Sequence, residues 1–152
     1  MFALLGLRGA RTTDITYNDQ ARHALNGAAI YDMVRDGQLL RPRQYLQKYF
    51  ARLPALSMPY HPPLFPVFEA LVFAVFGVSP FAARLAVACC VFASSILLFY
   101  LVLRTYRSQA IAFAGTLTFL SLPASLLLAG DTMLEFPVLS MVLGSLWFMR
   151  PL

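Results

Sequence analysis

Polar and apolar positions are sharply segregated along this chain. Up to about residue 63 the two kinds are mixed, and beyond it the chain is apolar for most of its length. The switch falls at Tyr60-His61-Pro62-Pro63-Leu64-Phe65-Pro66, where Pro62, Pro63 and Pro66 fix φ, remove backbone donors and stop regular structure. Residues 85–103 and 110–130 contain no Asp, Glu, Lys, Arg or His. Each approaches the ~20 residues that a helix needs to cross ~30 Å of hydrocarbon. Residues 136–149 are apolar but short, and reach that length only with Met133, Leu134 and Glu135 included. Residues 64–78 carry Glu69 and end near Gly77 and Pro80, which makes them either a short tilted helix or a segment lying partly in the interface. The pattern predicts apolar helices over about 64–78, 84–104, 109–130 and 133–149, three or four of them transmembrane or interfacial.

The first 63 residues read differently. Thr13 to Gln20 is rich in capping side chains, and Ala24, Leu25, Ala28, Ala29 and Val34 recur at roughly helical intervals, with Gly37 just beyond as a stop. Leu39 to Leu56 mixes Arg41, Arg43, Lys48 and Arg52 with Tyr45, Leu46, Tyr49, Phe50 and Leu53. That make-up suits a basic, aromatic-studded segment on a membrane surface facing anionic lipid phosphates. An ordinary amphipathic loop with a solvated charged face is the plainer alternative. The chain thus reads as an all-α integral membrane protein, with a partly helical extramembrane loop over 1–63 and a transmembrane helical region over 64–152.

Composition narrows the class further. Hydrophobic residues make up 59% of the chain, charged residues 12%, and the mean hydropathy is +0.67, which excludes an ordinary soluble domain. A net charge of +5 spread over such a chain is no nucleic-acid stripe. Arg104, Arg107 and Arg150 mark cytoplasmic helix ends, so the turn bearing Asp131 and the Pro62 end face the opposite side. The loop's own excess of basic residues runs against this assignment, although long loops obey the rule weakly. Cys89 and Cys90 are adjacent in an apolar run, and His23 and His61 show no zinc-ligand spacing. Gly-rich phosphate loops and nucleophile elbows are absent. Met1 to Leu7 is too short for a signal peptide's apolar core.

The acids remain as candidate chemistry. Asp14 and Asp19 stand near the start of the loop. Asp131 and Glu135 are four residues apart and would share one face of a continuous helix. Ionisable groups at a membrane boundary tend to mark substrate sites. The plainer reading makes Asp131 an N-cap and Glu135 a first-turn carboxylate. Glu69 reads as an interface residue rather than the wall of a site.

Several short motifs occur in a telling order: Asp14, Tyr17 and Ala21-Arg22; then His61-Pro62-Pro63-Leu64; then Phe76-Gly77-Val78-Ser79 and Arg84-Leu85; and last Met133-Leu134-Glu135-Phe136-Pro137. In this the chain resembles the GT-C type membrane glycosyltransferases that use polyprenyl-phosphate sugars. The nearest group is typified by the RgtA/B/C/D-like, aminoarabinose-transferase-like and protein-mannosyltransferase-like enzymes. Two departures stand out. Thr13-Asp14 replaces the Asp-Glu common in the first loop, which leaves Asp19 as a rival to Asp14, and Glu135 stands where Asp is usual. Family members have many more spans, so the resemblance implies an N-terminal fragment of a multi-span GT-C fold, incomplete and inactive alone.

The resemblance further implies inverting transfer of a sugar from a polyprenyl-phosphate donor to a lipid, glycan or protein acceptor. Asp14, or Asp19 in its place, would serve as general base, and Glu135 would orient the acceptor or steady the first loop. Tyr17, Arg22, His61, Arg84 and Asp131 would bind substrate, with Arg22, Arg84 or the basic residues between Arg41 and Arg52 meeting the lipid phosphate. No cofactor is implied; a divalent metal between Asp14 and Glu135 is the disfavoured alternative. The implied setting is a multi-pass protein of the bacterial inner membrane, loop outermost, in contact with membrane lipids and not with nucleic acid. A non-catalytic transporter subunit or lipid-handling partner is the competing reading.

Overall fold

The computed structural model describes residues 18–58 and 60–149. Among them the chain is all-helical and without strands. The helices are α1 (Asn18–Arg35), α2 (Pro42–Arg52), α3 (Leu64–Phe76), α4 (Pro80–Tyr106), α5 (Gln109–Ser121), α6 (Pro123–Gly130) and α7 (Glu135–Phe148). Among the described residues they fall into two compact units, residues 18–86 and residues 87–149.

In the first unit α1 stops where a glycine permits it. Gly37 takes φ +66°. Its N–H donates to the Val34 carbonyl at 3.1 Å, and the Gln38 N–H donates to Met33 at 3.0 Å. Together these bonds satisfy orphan carbonyls in a Schellman-type cap. Helix α2 opens with Pro42 in its first turn and buries none of its residues. Its tyrosines tie it to α1, with Tyr45 Oη donating to Asp36 at 2.7 Å and Tyr49 Oη donating to Asp32 at 3.2 Å. Burial and the Asp36 carboxylate push the Tyr45 phenol up to about 12, so it remains a donor at any physiological pH.

Helix α3 packs along α1. Small residues allow the approach: Ala24 and Ala28 of α1 lie against Phe73 of α3 and against Ala82 and Ala83 at the start of α4. Thirteen residues rise only about 20 Å, so α3 is too short to cross a bilayer's hydrocarbon unaided. Gly77, at φ +79°, ends it. The Ser79 hydroxyl then accepts from the Ala82 N–H at 3.2 Å, and with Pro80 at the first helical position it starts α4.

Helix α4 rises about 40 Å over its 27 residues and is long and apolar enough to cross a membrane. The 109–130 run is two helices, not one: α5 and α6 meet at a bend of 67°. Pro123 is the cause. It has no N–H to donate, and it drives Leu122 into an extended conformation (φ −60°, ψ 138°). Helix α7 follows a non-helical stretch and packs on α6, with Phe119 of α5 edge-on to Phe136 of α7 at 6.5 Å.

Candidate functional site

One face of α1 carries the polar interior of the first unit. Gln20, His23, Asn26 and Gly27 recur at helical spacing, and the first three are buried. The lower part of this stripe meets two other segments of the unit. His23 stands edge-on to His61, with ring centroids 5.3 Å apart. Asn26, fully buried, grips Ser57 twice: its Nδ2 donates to Ser57 Oγ at 3.0 Å, and its Oδ1 accepts from the Ser57 N–H at 3.0 Å.

Gly27 receives Glu69 of α3. The carboxyl lies so close to the α1 backbone that a Cβ on Gly27 would stand 2.7 Å from both Cδ and Cγ of Glu69. Glu69 is 0% exposed, and neither of its oxygens has a hydrogen-bond partner. The nearest donor, the Gly27 N–H, is mid-helix and committed to the α1 ladder, so it opposes the effect of burial only weakly. Burial pushes the carboxyl up to about 8, and at neutral pH Glu69 is mostly the uncharged acid.

The predicted site residues are distributed as follows. Asp14 and Tyr17 lie outside the described residues. Asp19 and Arg22 are on the exposed side of α1 and form a loose pair at 3.7 Å. His61 adjoins the buried stripe through His23, and Arg84 is buried near the start of α4. Asp131 and Glu135 do not share a helix face, because Asp131 closes α6 and Glu135 opens α7 across a non-helical turn. Leu134, not Asp131, is the N-cap of α7. Glu135 is an exposed first-turn carboxylate and lines an apolar cleft of about 220 Å³ with Phe119, Leu128 and Leu139.

Glu69 was expected at the interface and is instead enclosed. Its burial had a faint signal in the sequence, the one acid of an otherwise apolar segment, with Gln20, His23 and Gly27 spaced to face it. A second feature is a cleft of about 620 Å³ between the end of α1 and α2, lined by Asp32, Arg35, Asp36, Lys48 and Arg52 among others. Arg35 lies between Asp32 and Asp36, at 3.1 and 3.5 Å. Among the described residues, no three His, Cys, Asp or Glu are placed to hold a metal ion.

Residues 60–151 match the family model of the dolichyl-phosphate-mannose-protein mannosyltransferases. The chain belongs to that family. The GT-C resemblance carried by the motifs is thereby confirmed, and with it a mannosyltransferase-type glycosyltransferase class and a membrane association. The family implies a polyprenyl-phosphate-linked sugar donor and a glycan or protein acceptor. The match takes in His61, Glu69, Arg84, Asp131 and Glu135, and it begins after Asp14, Tyr17, Asp19 and Arg22. No curated protein and no solved structure matches the chain.

Proposed function

We propose that this chain takes part in inverting transfer of a mannose-type sugar from a polyprenyl phosphate to a lipid, glycan or protein hydroxyl, at the outer face of a bacterial inner membrane. The observation that carries this reading is the family match over residues 60–151. In the reaction the acceptor oxygen bonds to the anomeric carbon as the bond to the lipid phosphate breaks. The acceptor's proton passes to a carboxylate, and the phosphate leaves with the bonding pair. Asp14 is that base, with Asp19 as the rival.

A base must be reachable by its substrate, and Asp19 satisfies this, since its side chain is well exposed beside Arg22. Arg22, Arg84 and the cations of α2 supply positive charge for the departing phosphate. Among the described residues, Arg41, Arg43, Lys48 and Arg52 have no acidic partner, which leaves their charge available to lipid phosphates. Glu135 orients the acceptor beside the apolar cleft it lines, and His61 and Asp131 contact the sugar or its carrier.

The test is mannose transfer from a labelled polyprenyl-phosphate mannose in membranes where the chain is carried within a complete GT-C transferase. Asp14→Asn is expected to reduce transfer by at least ~100-fold, within the range ascribed to a lost general base, with membrane insertion unchanged. Normal transfer by Asp14→Asn removes that role and passes it to Asp19. Normal transfer by Asp14→Asn, Asp19→Asn and Glu135→Gln together sinks the enzymatic reading.

A further inference from the structure

Glu69 is unexplained by the reaction above. It is completely buried in a short apolar helix, and neither oxygen has a partner. It also occupies the one point on the buried face of α1 where the backbone has no side chain. A carboxyl that served only to fill space would be better replaced by an apolar group of the same shape. Its fit against Gly27 instead makes the separation of α1 and α3 depend on whether that carboxyl carries a proton.

We propose that Glu69 is a positioning residue that seats α1 on α3 through the Gly27 notch and so fixes the helix carrying Asp19 and Arg22. Ionised, the same group would be an unsolvated charge held against a helix backbone, and α1 must lift to let water reach it. The buried or half-buried ionisable groups on the surrounding elements of the first unit are His23, Tyr31 and Asp32 on α1, His61 ahead of α3 and Arg84 on α4. Among the described residues none of them forms an ion pair with Glu69, and burial is the main influence on its proton. The consequence for catalysis rests on the transferase reading, whereas the seating of α1 does not.

The sign follows from linkage. Seated Glu69 holds its proton up to about pH 8, whereas a solvated one gives it up near 4.5. Seating is therefore strongest below that lower value and weakens about tenfold per pH unit up to about 8, where the loss levels off. Hydrogen exchange across residues 20–33 of the full chain in lipid nanodiscs, corrected for the chemical exchange rate, reads this directly. Wild-type protection is expected to fall by well over tenfold between pH 6 and pH 8. Glu69→Gln, which keeps the shape and cannot ionise, is expected to hold the same protection throughout.

Parallel pH dependence in the two proteins overturns the proposal, as does constant protection in both. Gly27→Ala, which fills the notch, is expected to lower α1 protection at every pH, and wild-type protection in that variant also overturns it. In transfer assays the alkaline fall of the wild-type profile is expected to be absent from Glu69→Gln. A fall retained in that variant, alongside the expected exchange result, severs the link to the reaction. Absence of transfer by the wild type carried within a complete GT-C transferase leaves the exchange result standing and counts against the enzymatic reading alone.

Discussion

The two units differ in how far most of their polar side chains reach. In the second unit most hydroxyls on apolar helices turn back on their own backbone, while the buried Ser94 of α4 reaches the Phe136 carbonyl of α7 at 3.5 Å. Ser95 donates to Val91 at 2.7 Å, Ser121 to Leu117 at 2.6 Å, Ser140 to Pro137 at 2.8 Å and Ser145 to Met141 at 2.9 Å. Such bonds satisfy the group without joining one element to another. In the first unit, polar side chains reach across the chain: Asn26 binds Ser57, His23 meets His61, and Glu69 rests on Gly27. Polar side chains that pair across elements specify which faces meet, whereas a hydroxyl bonded to its own helix only hides its polarity.

Mutations that remove these groups should therefore separate the units. The largest effect is expected at Gly27→Ala, where a buried side chain must shift. A loss of about 3 kcal/mol or more is anticipated in reversible unfolding of the chain in detergent. Close behind comes the change from pH 6 to pH 8. With Glu69 raised to about 8 from its ordinary 4.5, wild-type stability should fall by roughly 1.4 kcal/mol per unit across that window and flatten above it. Glu69→Gln should remove this dependence. A stability curve for Glu69→Gln that still tracks the wild type over pH 6 to 8 would place the titrating group elsewhere.

Asn26→Ala strips two bonds from Ser57 and leaves its N–H enclosed, for an expected cost of about 2 kcal/mol. The smallest effect belongs to the second unit. Ser95→Ala removes only a bond within one helix and should cost about 0.5 kcal/mol or less. If Ser95→Ala proves as damaging as Asn26→Ala in the same unfolding assay, the contrast between the units collapses.

Much of this molecule follows from local rules that a single chain displays. Runs free of charge must leave water, so the helical, membrane-suited character of residues 85–103 and 110–130 follows from composition and length. Gly37 ends α1 because it tolerates positive φ, and Ser79-Pro80 opens α4 because a hydroxyl and a proline suit a first turn. The ordered motifs from His61 to Pro137 likewise reveal the family without any coordinates. Tertiary structure decided the rest. That Glu69 is enclosed, and that Asn26 finds Ser57 31 residues away, depends on α1 and α3 lying side by side. The bend at Leu122–Pro123, which divides a run of continuous hydropathy, is by contrast a local effect of Pro123. Hydropathy reports whether a segment avoids water but carries no information about which faces meet, and a buried carboxyl acquires its character from the neighbours that exclude solvent.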